Sequence, residues 1–297
     1  MKRSWLLVIV PLFALVLTSC SSSSPGQATK SDTIRARTLM IVGDSVAVQA
    51  SAALTHLAPK GTVVSVEAVR GGSAPCDWVH GLTDPATGAH VSFSSVLAKV
   101  RPAAVAFLFT GNPGLGGPSA GCVNANEPYS FSQLLASYEP ALTSMADQAV
   151  AQGAQVYFEA PPPRNPAVPP GWNAEESADG GYQGVPQMAS FYQRLASTHP
   201  THWHYDDSAG VAVSTSELAW RLTLPCQAWS EHRCADGQVQ VRVGGADSVH
   251  LDVQGCGAIF LALAVEEHIF GTAQPDPRSV AAAAASYGGC QEPDAAH

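Results

Sequence analysis

Hydrophobic runs and polar breaks divide the chain into alternating strand-like and helix-like stretches. Leu39-Met40-Ile41-Val42 is a continuous apolar run stopped by Gly43-Asp44, which predicts a buried strand and a tight turn. From Ser45 onward, Val46, Gln49, Ala50 and Ala53 recur at helical spacing, which predicts a helix over 46–57. The same reading predicts strands at 61–68, 103–109 and 154–160, and helices at 93–100, 131–152 and 187–197. A short strand at 239–243 and a final amphipathic helix at 253–270 follow. Such alternation predicts an α/β domain whose parallel sheet is covered on both faces. Two long loops, 161–184 and 208–237, interrupt it, and loops of that length are usually functional or disordered. Residues 273–297 read as an Ala-rich, weakly structured tail, and no internal repeat is visible.

This pattern puts Ser45 at the carboxyl end of a strand and the amino end of a helix. Ligands of open α/β sheets bind there, and the free N–H groups of the helix favour negative charge. Asp and Ser are also preferred helix caps, so the turn alone does not separate a nucleophile from a cap. The ends of the other predicted elements add to it. Arg70-Gly71-Gly72-Ser73 follows the second strand, and Thr110-Gly111-Asn112-Pro113 follows the third. Gly245-Ala246-Asp247-Ser248-Val249-His250 precedes the final helix. Taken singly these are a glycine turn, an Asx turn and a cap. Taken together they are Ser, Gly, Asn and Asp-x-x-His in order, each at the edge of the sheet.

That constellation resembles the SGNH (GDSL-type) hydrolases. Gly43-Asp44-Ser45 matches the first block of that family, Gly72 (or Gly71) the second, Gly111-Asn112 the third and Asp247-x-x-His250 the last. The resemblance implies a flavodoxin-like three-layer α/β/α sandwich with a parallel central sheet over residues 38–272. It implies a serine esterase with Ser45 as nucleophile, His250 as base and Asp247 holding the imidazole, with no cofactor. The oxyanion would sit on the N–H groups of Ser45 and Gly72 and the Asn112 amide. Ala74-Pro75-Cys76-Asp77-Trp78, and Gly111-Asn112 followed by Cys122, are also similar to exported actinobacterial SGNH domains. Some of those are fused to membrane acyltransferases that modify cell-surface glycans, so the implied substrate is an O-acyl ester of an envelope glycan or lipid. Hydrolysis and acyl transfer both fit. A non-catalytic carbohydrate-binding or assembly module, and a broad carboxylesterase or lipase, are the alternatives. Three positions depart from the family: Val46 where Leu is frequent, Ser248 where Gly is frequent, and Pro113 where Asp commonly follows the Asn. The last leaves the hydrogen bonding that orients Asn112 open.

The amino terminus sets the compartment. Lys2 and Arg3 precede an apolar run at 6–17 that is too short to span a bilayer. The run ends in Leu17-Thr18-Ser19-Cys20, which resembles a bacterial lipoprotein signal. The expected layout is a signal at 1–19, a lipidated Cys20 with a flexible Ser-rich tether to 37, and the domain beyond. The expected location is the extracytoplasmic face of the membrane, held by lipid at Cys20. The formal net charge is −9, and loss of Lys2 and Arg3 with the signal takes it to −11. An acidic chain of this kind is a poor partner for nucleic acid.

Setting Cys20 aside leaves Cys76, Cys122, Cys226, Cys234, Cys256 and Cys290, an even set in an exported chain, hence three disulfides among fifteen connectivities. The pairing to test first joins Cys76 to Cys122, since they follow the second and third blocks at one rim. It joins Cys226 to Cys234 across a short loop and leaves Cys256 to hold the tail through Cys290. No CxxC pair suggests zinc. The glycine-rich stretch 111–117 looks suited to phosphate but lacks the Lys-Ser/Thr end of a P-loop. His199, His202 and His204 form a cluster without an evident further ligand. Trp78, Trp203 and Trp229 read as anchors, and Trp172 as the tryptophan best placed for a sugar.

Overall fold

The computed structural model describes residues 38–116, 121–124, 126–127, 129–167, 185–245, 247, 249–252, 254–273 and 275–290. The signal, Cys20, the tether, Trp172 and Ser248 lie outside the described residues. Five parallel strands form the central sheet: β1 (Thr38–Gly43), β2 (Val63–Val69), β3 (Ala104–Leu108), β4 (Gln155–Glu159) and β5 (Trp203–Asp206). Their spatial order is β2-β1-β3-β4-β5. This is the flavodoxin-like order, and its switch point lies between β1 and β3.

The helices are α1 (Ser45–His56), α2 (Pro75–His80), α3 (Phe93–Val100), α4 (Phe131–Ala151), α5 (Val185–Ser197), α6 (Ser208–Val211), α7 (Cys256–Phe270) and α8 (Pro277–Tyr287). Strand alternation sorts them into two layers. Met40, Val42, Val105, Phe107, Val156 and Phe158 point to a core shared with α2, α3, α4 and α5. Leu39, Ile41, Ala104, Ala106 and Leu108 point the other way, to α1, α6, α7 and α8. Both middle strands are buried on both faces, which is why their sequences read as unbroken apolar runs.

Some expectations are corrected. The segment expected as a strand at 239–243 contributes Gln238–Gln240, which pairs antiparallel with Thr223–Pro225 outside the main sheet. The final helix starts at Cys256 and is buried on most sides rather than amphipathic, because α1 and α6 flank it. The weakly structured tail gives way to α8, which packs on α1. The disulfides are Cys76–Cys122, Cys226–Cys234 and Cys256–Cys290, and the last ties the start of α7 to the end of α8. Among the described residues no helix is long and apolar enough to cross a membrane.

Candidate active site

The turn after β1 is built for close approach. A Cβ on Gly43 would lie 2.3 Å from the Leu108 carbonyl oxygen, so only glycine lets β1 end flush against β3. Asp44 then turns its carboxylate inward, fully buried, and becomes a hub. One oxygen accepts from the Val46 N–H at 3.1 Å, the capping bond of α1. The other accepts from the Thr110 N–H at 2.6 Å, the Thr110 hydroxyl at 2.7 Å and the Asn112 amide at 2.8 Å. Burial pushes the Asp44 carboxyl above its ordinary value, against the pull of the Thr110 and Val46 donors and the Arg164 charge. Ser45, left half-buried, opens α1, so its N–H belongs to the unpaired donors of a helix start.

The turn after β2 is seated on the same strand end. The Arg70 N–H donates to the Gly43 carbonyl at 3.0 Å, and the Ser73 hydroxyl donates to it at 3.1 Å. The Trp78 indole N–H donates to that hydroxyl at 3.1 Å, which gives this buried tryptophan its anchoring role. A Cβ on Gly71 would stand 3.9 Å from the Ser45 Cβ, whereas Gly72 has φ +75° and lies against Leu115. Gly71 is therefore the glycine that borders Ser45, and Gly72 is turned to Leu115.

Asn112 is oriented without the Asp that Pro113 replaces. Asp44 holds its side-chain amide, and the Tyr138 hydroxyl donates to its backbone carbonyl at 2.6 Å. An amide carries two hydrogens, so one N–H remains after the bond to Asp44. The Pro113 carbonyl in turn accepts from the Cys122 N–H at 3.0 Å. Beyond it, the buried Asp77 carboxylate accepts the N–H groups of Ala74, Leu115 and Gly116. The glycine-rich stretch that looked suited to phosphate thus spends its Leu115 and Gly116 donors on the Asp77 carboxylate.

His250 completes the site from 205 residues away in sequence. Its Nε2 lies 2.9 Å from the Ser45 hydroxyl, and its Nδ1 lies 2.7 Å from the Asp247 carboxylate. The other Asp247 oxygen accepts the N–H groups of Val249 and His250 at 2.9 and 2.8 Å. Burial raises the Asp247 carboxyl, but these donors and the His250 ring outweigh it and hold it below its ordinary value. The line from hydroxyl to imidazole to carboxylate is the geometry needed to take a proton from Ser45.

Two residues that the sequence reading passed over fix this loop. Gln49, one turn after Ser45 on α1, accepts the Leu251 N–H at 3.0 Å and so ties the serine's helix to the histidine's segment. Arg242 is wholly buried and donates through Nη2 to the carbonyls of Val249 (2.6 Å) and Pro163 (2.7 Å). Burial lowers its guanidinium to about 10, with Asp247 pulling the other way. The only sequence signal for Arg242 is a cation placed between Val241 and Val243, both apolar.

The histidine cluster does not assemble. The His204 ring bonds the Gln155 carboxamide oxygen at 2.9 Å, and the His199 ring packs on Trp203. Among the described residues no group of three or more His, Cys, Asp or Glu is placed to hold a metal.

Ser45, the Gly71–Gly72 turn, Asn112 and His250 thus meet at the carboxyl edge of a five-stranded parallel sheet. The architecture is the flavodoxin-like α/β fold that the sequence predicts. No protein-family model matches the chain, and no curated protein matches it. Among solved structures the fold is similar to a GDSL-like lipase of Bacteroides thetaiotaomicron at 13% identity and a TM-score of 0.47, covering 80% of this chain and 89% of that one. It is also similar to a mutant of Axe2, an acetyl-xylooligosaccharide esterase of Geobacillus Stearmophilus. That match has 15% identity and a TM-score of 0.45, covering 81% and 96%. A third is the C-terminal catalytic domain of the peptidoglycan O-acetyltransferase OatA of Streptococcus pneumoniae, at 15% identity and 0.36, covering 79% and 93%. At these identities and scores none of them assigns a substrate or reaction to this chain.

Proposed function

We propose that this protein is a serine esterase that cleaves or transfers O-acyl groups through an acyl-serine intermediate. The observation that carries this reading is the line Ser45 Oγ, His250, Asp247, with contacts of 2.9 and 2.7 Å. His250 takes the serine proton as Oγ attacks the ester carbonyl, and Asp247 keeps the imidazole in register and balances its charge. The oxyanion is met by the Ser45 N–H, a glycine N–H of the Gly71–Gly72 turn and the remaining Asn112 N–H. Collapse returns the proton to the departing alcohol and leaves Ser45 acylated. Water or a sugar hydroxyl then attacks the acyl-serine, giving the acid or a new ester. The substrate class we favour is an acylated glycan or lipid of the cell envelope, reached from a lipid anchor at Cys20. The signal-like amino terminus supports that location, and Cys20→Ala should abolish palmitate labelling and membrane partition.

A fluorophosphonate probe tests the chemistry. It should label the full-length protein at Ser45 near neutral pH, fail with His250→Ala, and weaken toward acid, where imidazolium cannot accept the proton. Labelling that persists in Ser45→Ala would sink the assignment. A folded wild type that never labels would put a non-catalytic binding module in its place. Rapid turnover of short p-nitrophenyl esters would favour the broad carboxylesterase over an envelope-specific enzyme.

A further inference from the structure

At the far end of α1 from Ser45, about 17 Å along the helix, a cavity of about 240 Å³ opens between α1, the last turns of α7, and α8. Leu57, Leu263, Val280 and Ala283 give it apolar walls. Glu266 enters the same space, only 2% exposed, and among the described residues its Oε1 has no hydrogen-bond partner. Glu266 stands seven, four and three residues after Ile259, Ala262 and Leu263, all buried, so it occupies a core position of α7. Burying a carboxyl without a partner costs free energy, and a packed apolar side chain would avoid that cost. The other ionisable groups lining the cavity are His56, Lys60 and Glu267, all exposed. The His56 ring is turned to α8, 5.0 Å from the Tyr287 ring and 3.3 Å from the Ser286 hydroxyl.

We propose that this cavity is a binding site for a small organic ammonium ion with an apolar ring or short alkyl body, its nitrogen held by Glu266. An ammonium group supplies the missing hydrogen-bond donor and the countercharge together. The apolar body fits the walls, since an engineered apolar cavity of about 150 Å³ already holds benzene. Burial holds the Glu266 carboxyl up at about 8. At neutral pH the ammonium therefore meets a protonated acid, and as the ion pair forms the carboxyl proton leaves to the buffer.

The test is calorimetric titration of the full-length protein with benzylamine and with benzyl alcohol, in two buffers of different ionisation heat. Benzylamine should bind at one site with release of about one proton, as linkage requires. Glu266→Gln should weaken benzylamine about 10- to 100-fold, the worth of a charged hydrogen bond, while leaving benzyl alcohol unchanged. Ala283→Phe fills the cavity from α8 without touching Glu266 and should abolish binding, which keeps the test open if the glutamine variant fails to fold. Binding that survives Ala283→Phe, equal binding of both probes, or no binding of benzylamine to folded wild type would each overturn the proposal.

Discussion

Helix α1 has a buried acid near each end, and the two are treated differently. At its start, Asp44 accepts four hydrogen bonds from Val46, Thr110 and Asn112. Near its end, Glu266 reaches in from α7 and has one oxygen with no partner among the described residues. Burial raises both carboxyls, but only Asp44 has donors that pull back. The difference lies in whether nearby backbone turns aim N–H groups at the acid. Three of the four donors to Asp44 come from the Thr110–Asn112 turn, so its desolvation cost orients a candidate oxyanion donor. Glu266 sits on a continuous helix whose N–H groups are already bonded, so none of the described residues answers it.

The largest effect expected is at the partnered end. Ser45→Ala or His250→Ala should lower ester turnover by about 10⁴- to 10⁶-fold, with thermal unfolding little changed because both side chains are half-exposed. Next comes the unpartnered end. The folded Glu266 carboxyl, raised to about 8 from 4.5, holds a proton that the unfolded chain releases. Stability should therefore fall as pH rises from about 4.5 to about 8, by on the order of 4 kcal/mol, and Glu266→Gln should flatten that slope in denaturant titrations. A wild type that gains stability over this window would reverse the contrast between the two acids. Asn112→Ala should then cost turnover about 10²- to 10³-fold, with a small stability change because Thr110 and Val46 still serve Asp44. Smallest is Gln49→Leu, which frees one N–H near His250. It should lower kcat about tenfold with little change in KM, and Gln49→Glu, which keeps an acceptor, should restore most of it.

What was legible in the sequence follows the range of the interactions. β1 and β3 are covered on both faces, and that burial writes itself locally as apolar runs. Ser45 and Asn112 were legible because they follow the breaks after β1 and β3, and Asp247 and His250 through their spacing ahead of α7. β5 was missed because Trp203-His204-Tyr205-Asp206 is four residues long, half polar and on the sheet edge. α8 was missed because it buries only Val280 and Ala284, so its sequence carries little periodicity; α1 contacts and the bridge at Cys290 supplement that burial. Neither Gln49 nor Arg242 announces its role, since one bonds a residue 202 positions away and the other a carbonyl 79 away. The pairing of the six cysteines came from the opposite direction. Blocks recognised at one rim brought Cys76 to Cys122, and the bridge is present.

The direction of β1 also decides which way the molecule faces. The strand enters the sheet at Thr38 and delivers Ser45 just past its other end, so about 20 Å of extended chain separates the point of entry from the nucleophile. If the proposed anchor at Cys20 holds the protein, the pull falls on the amino edge of the sheet at Thr38, and the edge that carries Ser45 is the opposite one.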